Sequence, residues 1–197
     1  MLRRIMYLSF HPDPEGIARW EAAARETAQR IPSVTAWNIS KLEPRGDEWQ
    51  YIVEGVFTDV PALQAYLAHP YHSGTLHQYF VPGSPVHVGK RADIFHYEPL
   101  RVVAQDRHLK QHHHANYTFH VEPAAQGALE ERLVEAASTA HGLKNWSYGR
   151  TTQEPGKTAW THVLEYESAA PVTLSLPSAP SSVSAQYPMA ESLIGKL

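Results

Sequence analysis

Hydrophobic and polar positions follow two periods along the first hundred residues. Short, mostly apolar runs predict strands, and apolar residues at helical spacing between them predict two helices. Asp13 and Asp59 can cap these helices, because each is followed within two residues by a proline in the first turn. The resulting order, β-α-β-β-α-β, is typical of a ferredoxin-like unit. The predicted elements are strands over residues 5–10, 34–42, 49–58 and 86–97, one helix that ends before Pro32, and one helix that is interrupted at His69-Pro70.

The same pattern starts again in the second half of the chain. Phe119 and Trp146 repeat Phe10 and Trp37 at the same offset of 109 residues. An internal repeat of this kind indicates two copies of one structural unit, although the second copy fades towards its end. The second repeat is predicted to contain a helix over residues 129–136, a hairpin over 143–151 and 157–166, a Ser-, Pro- and Ala-rich stretch over 168–188, and a short helix at about 189–194.

The two repeats can solve a packing problem together. An open sheet with helices on one face leaves its other face apolar, and a second sheet can cover that face. The sequence therefore predicts an α+β fold in which two fused ferredoxin-like repeats form an intramolecular pseudo-dimeric α/β barrel. The predicted domains are an N-terminal repeat over residues 1–98 that carries the pocket, a solvated linker over 99–114 that contains the run His112-His113-His114, and a degenerate second repeat over 115–197.

Composition narrows the classes of function. The 197 residues carry a formal net charge of −3 and no basic stripe, which argues against nucleic acid as a partner. The chain has no apolar run long enough for a membrane span, and residues 1–5 do not look like a signal peptide. Cysteine is absent, which excludes disulfides, thiolate metal sites and cysteine nucleophiles. We expect a cytoplasmic protein whose partner is a small molecule, and homodimerisation of the fused chain is left open.

A motif on the interrupted helix carries a resemblance to a known family. Tyr66 and His72 form the pattern Tyr-x5-His, and another histidine stands directly before Pro70. This pattern resembles the stress-responsive A/B barrel (Dabb) family of the dimeric α/β-barrel superfamily. The resemblance rests on residues 62–80 and on the strands over 53–57 and 93–97, and it covers residues 3–98 well and 113–166 weakly.

Within that family the chain is most similar to polyketide cyclases of the olivetolic acid cyclase type. The resemblance implies that Tyr66 and His72 drive an aldol condensation without a cofactor or a metal. Two further pocket histidines of those cyclases fall on Arg4 and Tyr51, so the pocket is expected to include these residues and to differ in its substrate. The remaining candidates for substrate contact are Trp37 and, in the second repeat, His162.

The chemistry that this pair offers is acid–base catalysis on a carbonyl compound. Enolisation needs a base with a pKa near 7 and a donor for the developing oxyanion, and we expect His72 to titrate near the ordinary histidine pKa of about 6.5. On an unbroken helix, positions 66 and 72 would face apart, so the break at Pro70 is needed to turn both side chains to one cavity. The sequence predicts a cofactor-independent cyclase, lyase or isomerase. A non-catalytic ligand-binding or stress-responsive barrel, and a haem-linked or cofactor-free monooxygenase of the same superfamily, stay open.

Overall fold

Two structural units share the chain. The computed structural model describes residues 1–43, 49–104, 113–152, 160–176 and 184–196, the last stretch through its backbone alone. The first unit comprises Met1–His96 with Ala190–Leu197, and the second comprises Tyr97–Met189. Each unit has its own cluster of buried apolar side chains. The described part of the chain contains no helix that is long and apolar enough to cross a membrane.

The first unit has the predicted order of elements. A strand, two short helices, a strand pair and a third helix are followed by a π-helical turn and a 3-10 turn before the last strand begins. The predicted first helix is divided at Glu26, whose N–H donates to the Ala23 carbonyl and so ends the first part. The elements are β1 (Leu2–Phe10), α1 (Pro14–Arg25), α2 (Thr27–Arg30), β2 (Ala36–Leu42), β3 (Tyr51–Phe57), α3 (Val60–Ala68), the π-helical turn His72–Leu76, the 3-10 turn His77–Phe80 and β4 (Gly89–Ala104).

Local signals set the ends of the helices. The Asp13 carboxylate accepts a hydrogen bond of 2.9 Å from the Gly16 N–H, and the Asp59 carboxylate accepts one of 2.8 Å from the Ala62 N–H. Each bond satisfies an N–H group that has no partner within its helix, so both predicted caps are confirmed. At the other end of α3, His69 is extended with ψ of 135°, as a residue before proline prefers.

The second unit repeats the arrangement with a single α-helix among the residues that the structure describes, where the first unit has three. Strand β7 lies between β5 and β6 in antiparallel register, and α4 connects β5 to β6. The predicted α+β class, with two fused ferredoxin-like repeats in one chain, is confirmed. The elements are β5 (His113–Phe119), α4 (Gln126–Thr139), β6 (Asn145–Thr151), β7 (His162–Ser168) and β8 (Ser184–Lys196).

Two expectations about the ends of the repeats need correction. The predicted helix at about 189–194 is part of strand β8, whose stretch 184–188 pairs with the edge of β5 that β7 leaves open, with Tyr117 opposite Ser184 and His113 opposite Pro188. An exposed row of backbone donors and acceptors favours this pairing over the weak helical preference of a short segment.

The described residues of the predicted linker over 99–114 are also strand. Strand β4 continues to Ala104, because its residues from Tyr97 onward pair with β6, and β5 begins at His113. His114 is fully buried, and its Nε2 lies 3.0 Å from Glu165 Oε1, so it belongs to the core of the second unit. His112 lies outside the described residues.

Candidate active site

A row of three residues across β1, β3 and β2 forms the floor of the candidate site. Arg4 of β1 and Trp37 of β2 both lie opposite Gly55 of β3. A Cβ atom on Gly55 would approach the ring of Trp37 to 3.0 Å and the ring of Phe57 to 3.1 Å. The missing side chain at Gly55 therefore gives the Trp37 ring its room beside the strand. The Trp37 indole N–H donates a hydrogen bond of 3.0 Å to the Ala24 carbonyl of α1, which fixes the ring.

Tyr66 of α3 packs against this floor. Its ring centroid lies 5.8 Å from that of Trp37 and 5.3 Å from that of Phe57, and the guanidinium carbon of Arg4 lies 5.6 Å from it. Only 2% of Tyr66 is exposed, and burial raises the pKa of its hydroxyl while Arg4 acts against that rise. The hydroxyl makes no hydrogen bond with any residue that the structure describes. Tyr66 is therefore a buried residue whose hydroxyl can donate to a ligand oxygen.

The chain after α3 turns His72 back to Tyr66. Pro70 follows the extended His69, and the next residue, Tyr71, docks on α1 through a 2.8 Å hydrogen bond from its hydroxyl to the Ala23 carbonyl. The π-helical turn then begins at His72, and such turns are frequent at functional sites. The ring centroids of Tyr66 and His72 lie 4.4 Å apart. The interruption at Pro70 thus brings together two rings that a continuous helix would separate.

His69 has a local structural part in the same turn. Its Nδ1 accepts a hydrogen bond of 3.1 Å from the Tyr71 N–H, and its backbone carbonyl accepts one of 3.0 Å from the Ser73 N–H. Both contacts hold the backbone between α3 and the π-helical turn. The histidine before Pro70 therefore supports the position of His72.

The hydrogen bonding of His72 defines its tautomer. Its Nδ1 lies 3.0 Å from the Leu67 carbonyl oxygen, which can only accept, so Nδ1 carries the proton. The neutral ring then has its lone pair on Nε2. Burial, and after it the Arg4 charge with a smaller contribution from His77, lowers the pKa of His72 to about 4 although the Leu67 carbonyl acts in the opposite direction. The expectation of an ordinary pKa near 6.5 is thus wrong, because the site is buried beside a cation.

A second histidine joins the site through Arg4. The Arg4 Nη1 donates a short hydrogen bond to Nε2 of His96, near the middle of β4. Because arginine has no acceptor, the acceptor is the Nε2 lone pair of neutral His96. Burial, and then the Arg4 charge, lowers the pKa of His96 to about 3. Sequence reasoning did not assign His96 to the site, because a contact between residues 92 positions apart has no local signal in the sequence.

Tyr51 occupies another part of the same sheet. It precedes Gly55 by four positions on β3, which corresponds to about 13 Å along the strand. Its ring packs at 4.9 Å from Trp20 and 5.4 Å from Phe10, and its hydroxyl donates to the Glu21 carboxylate. The structure therefore does not place Tyr51 with Tyr66, and its assignment to the pocket stays a prediction.

His162 belongs to the second unit. It is fully buried at the start of β7, with Nε2 at 3.0 Å from Glu130 Oε1 and Nδ1 at 3.0 Å from the Thr161 hydroxyl. Arg150 Nη2 lies 2.6 Å from the same Glu130 oxygen. Burial lowers the pKa of His162, and Glu130 acts against that change. These contacts account for His162 as part of a structural ion-pair cluster, and its predicted contact with substrate remains untested.

Comparisons with known proteins agree with this architecture. A mutant chlorite dismutase from Candidatus Nitrospira defluvii, in complex with cyanide, is similar over 96% of this chain and 91% of its own, at 11% identity and a TM-score of 0.60. An anthrone oxidase-like protein is similar over 97% of this chain and 92% of its own, at 10% identity and a TM-score of 0.58. These identities show a shared fold.

The family comparison concerns the first repeat. A Dabb family protein with a ferredoxin-like fold from Mesorhizobium loti is 19% identical over 51% of this chain and 97% of its own, with a TM-score of 0.41. No curated protein sequence matches the chain. Residues 2–82 match the family model of the stress responsive A/B barrel domain, Dabb, and this stretch holds Arg4, Tyr66 and His72. The similarity to the stress responsive A/B barrel domain thus covers residues 2–82, which is less than half of the chain.

Proposed function

We propose that the first repeat is a cofactor-independent enzyme of the cyclase, lyase or isomerase type, which acts on a carbonyl-containing, polyketide-like substrate. The observation that carries this proposal is the pairing of Tyr66 and His72, whose rings lie 4.4 Å apart in a site with buried walls. One residue supplies an unprotonated ring nitrogen, and the other supplies a hydroxyl without a protein partner among the described residues. A base and a hydrogen-bond donor are the two groups that enolisation needs.

His72 is the general base of the proposed reaction. Its Nε2 lone pair takes a proton from the carbon next to the substrate carbonyl, the C–H electron pair forms a C=C bond, and the carbonyl oxygen becomes an enolate oxygen. The Nδ1–H bond to the Leu67 carbonyl holds the ring in the tautomer that this step needs. The enolate carbon can then attack a second carbonyl of the same substrate, which closes a ring and moves the C=O electron pair onto that oxygen, and His72 returns its proton to this oxygen.

Tyr66 stabilises the negative charge that develops on the carbonyl oxygen. Its hydroxyl stays protonated at neutral pH, because burial raises its pKa. A preorganised donor of this kind is worth about 10²–10³-fold in rate. The packing of its ring on Trp37 and Phe57 fixes the hydroxyl without a hydrogen bond that the substrate must first displace. Trp37 thus supports Tyr66 and forms an aromatic wall.

Deuterium exchange tests the proposal without knowledge of the natural substrate. Benzoylacetone, a 1,3-dicarbonyl compound, is incubated with the protein in D2O, and the loss of its methylene proton signal is followed by NMR above the uncatalysed rate. His72→Ala should lower the exchange rate by about 10²–10⁴-fold, and Tyr66→Phe by about 10²-fold. His11→Ala, at an exposed position, and Tyr7→Phe, on the opposite face of β1 from Arg4, are matched controls that should retain the rate.

The outcomes separate the proposed enzyme from its alternatives. Full exchange activity in both His72→Ala and Tyr66→Phe would remove the acid–base assignment. Binding of benzoylacetone without exchange would favour a ligand-binding barrel. Oxygen consumption with an anthrone, or a Soret band in the purified protein, would instead favour oxidase or haem chemistry, for which similarity to an anthrone oxidase-like fold is the motivation.

A further inference from the structure

Arg4 is a buried cation without a carboxylate partner. It is 5% exposed, and within the part of the chain that the structure describes no Asp or Glu forms an ion pair with it. The neighbouring Arg3, by contrast, is paired with a carboxylate, because its Nη2 lies 2.9 Å from Glu54 Oε1. Arginine remains charged at neutral pH even where burial lowers its pKa, as it does here. A buried charge without a counter-charge is costly, so this one calls for an explanation.

The groups around Arg4 fix its position without neutralising it. Nε donates to Met6 Sδ at 3.2 Å, Nη1 donates to neutral His96, and the Tyr66 ring lies alongside the guanidinium. A guanidinium has five N–H groups, and the described residues supply acceptors for two of them. Nη2 has no acceptor among these residues. The guanidinium group is thus held through Nε and Nη1, and its Nη2 is available to a ligand next to Tyr66 and His72.

We infer that Arg4, held by His96, is the subsite for a substrate carboxylate beside the Tyr66–His72 pair. This inference rests on the proposed function for its meaning, since it names the substrate class of that site as a carbonyl compound that also carries a carboxylate. A carboxylate offers two coplanar oxygens, which match the planar fork of arginine. The anion would supply the counter-charge that the protein does not.

Binding of an anion at Arg4 has a consequence for the base. The groups that shift the pKa of His72 are Arg4 and His77, Tyr66 packs against its ring, and Arg4 also shifts the pKa of His96. Neutralising Arg4 removes one of the two main causes that hold the pKa of His72 at about 4. The pKa of both histidines should rise on binding. His72 would become a stronger base when, and only when, an acidic substrate is present.

Benzoate and its uncharged isostere benzamide test the subsite through binding alone. Titration calorimetry at pH 7 should give a dissociation constant for benzoate at least about tenfold below that for benzamide, and NMR should show higher pKa values for His72 and His96 with benzoate bound. Arg4→Met should abolish the preference for benzoate. Arg91→Gln is the matched control, because Arg91 is exposed and stacks on Trp49 in the same unit.

The comparison of benzoate with benzamide in the unmodified protein tests the subsite even where Arg4→Met fails to fold. Equal binding of benzoate and benzamide, no binding of either, or unchanged histidine pKa values with benzoate bound would overturn the subsite. Inorganic phosphate that binds as tightly as benzoate would overturn its assignment to a carboxylate. Since none of these measurements depends on turnover, loss of the subsite and loss of the proposed enzyme activity are distinguishable.

Discussion

Acid should destabilise the first unit through His72, and the direction follows from its pKa. The folded-state pKa is about 4 and the ordinary value is 6.5. Between these values the unfolded chain binds a proton that the folded chain does not, so the free energy of unfolding falls as pH drops from about 6.5 to about 4. Above pH 6.5 both states are neutral, and His72 adds no pH dependence. His96, with a pKa of about 3, acts in the same direction.

The magnitude follows from the same difference. Moving the pKa from 6.5 to about 4 corresponds to about 3 kcal/mol, at about 1.36 kcal/mol for each pH unit. His72 is only half-buried, so solvent screening reduces this value, and we expect about 1–2 kcal/mol. For a chain of this size that change lowers Tm by about 2–8 °C between pH 7 and pH 4.

Thermal unfolding of His72→Gln at several pH values measures this contribution. Glutamine retains a polar side chain but does not titrate, so the variant should lose about 1–2 kcal/mol less than the unmodified protein on acidification. His11→Gln removes an exposed histidine and should follow the unmodified protein. If the curves of His72→Gln and the unmodified protein ran parallel from pH 7 to pH 4, the burial and charge argument for His72 would be refuted.

Two further predictions concern packing and the second unit. Gly55→Ala should destabilise the fold by about 1–3 kcal/mol in urea denaturation, because its Cβ would press on two rings at 3.0 and 3.1 Å, whereas Gly74→Ala, with nothing within 4 Å, should not. Equal stability of the two variants would contradict this account of Gly55. Glu130→Gln should lower the pKa of His162 further, as read by NMR, because Glu130 now opposes the effect of burial; an unchanged or higher pKa would contradict it.

Much of the first unit follows from signals that act within a few residues. Asp13 and Asp59 cap helices because their carboxylates reach N–H groups three positions ahead. Pro70 imposes an extended conformation on His69, and this single backbone choice turns the following residues towards Tyr66. Each of these effects comes from a residue within a few positions of the backbone that it changes. The broken helix and the proximity of the two candidate catalytic rings could therefore be predicted from the sequence alone.

The pairing of strands depends on residues that are distant in the chain, and the local sequence did not predict it. Residues 99–104 and 184–196 carry no strong strand pattern of their own. Residues 99–104 and 184–188 become strands because β6 and β5 offer them an edge. The free energy that decides the conformation of these segments comes from backbone hydrogen bonds to distant residues, which neither periodicity nor propensity reports. The same reason explains why His114, predicted in a solvated linker, is a core residue.

The site itself shows both kinds of encoding. Tyr66 and His72 are joined by a local break, whereas Arg4 and His96 stand 92 positions apart and meet only because their strands do. The local pair supplies the base and the donor. The distant pair supplies a charge that weakens the base while the site is empty, since an imidazolium beside Arg4 is disfavoured. Through the proposed anion subsite, the long-range contact ties proton abstraction to the arrival of an acidic substrate, and a neutral carbonyl compound would meet a weaker base in the same geometry.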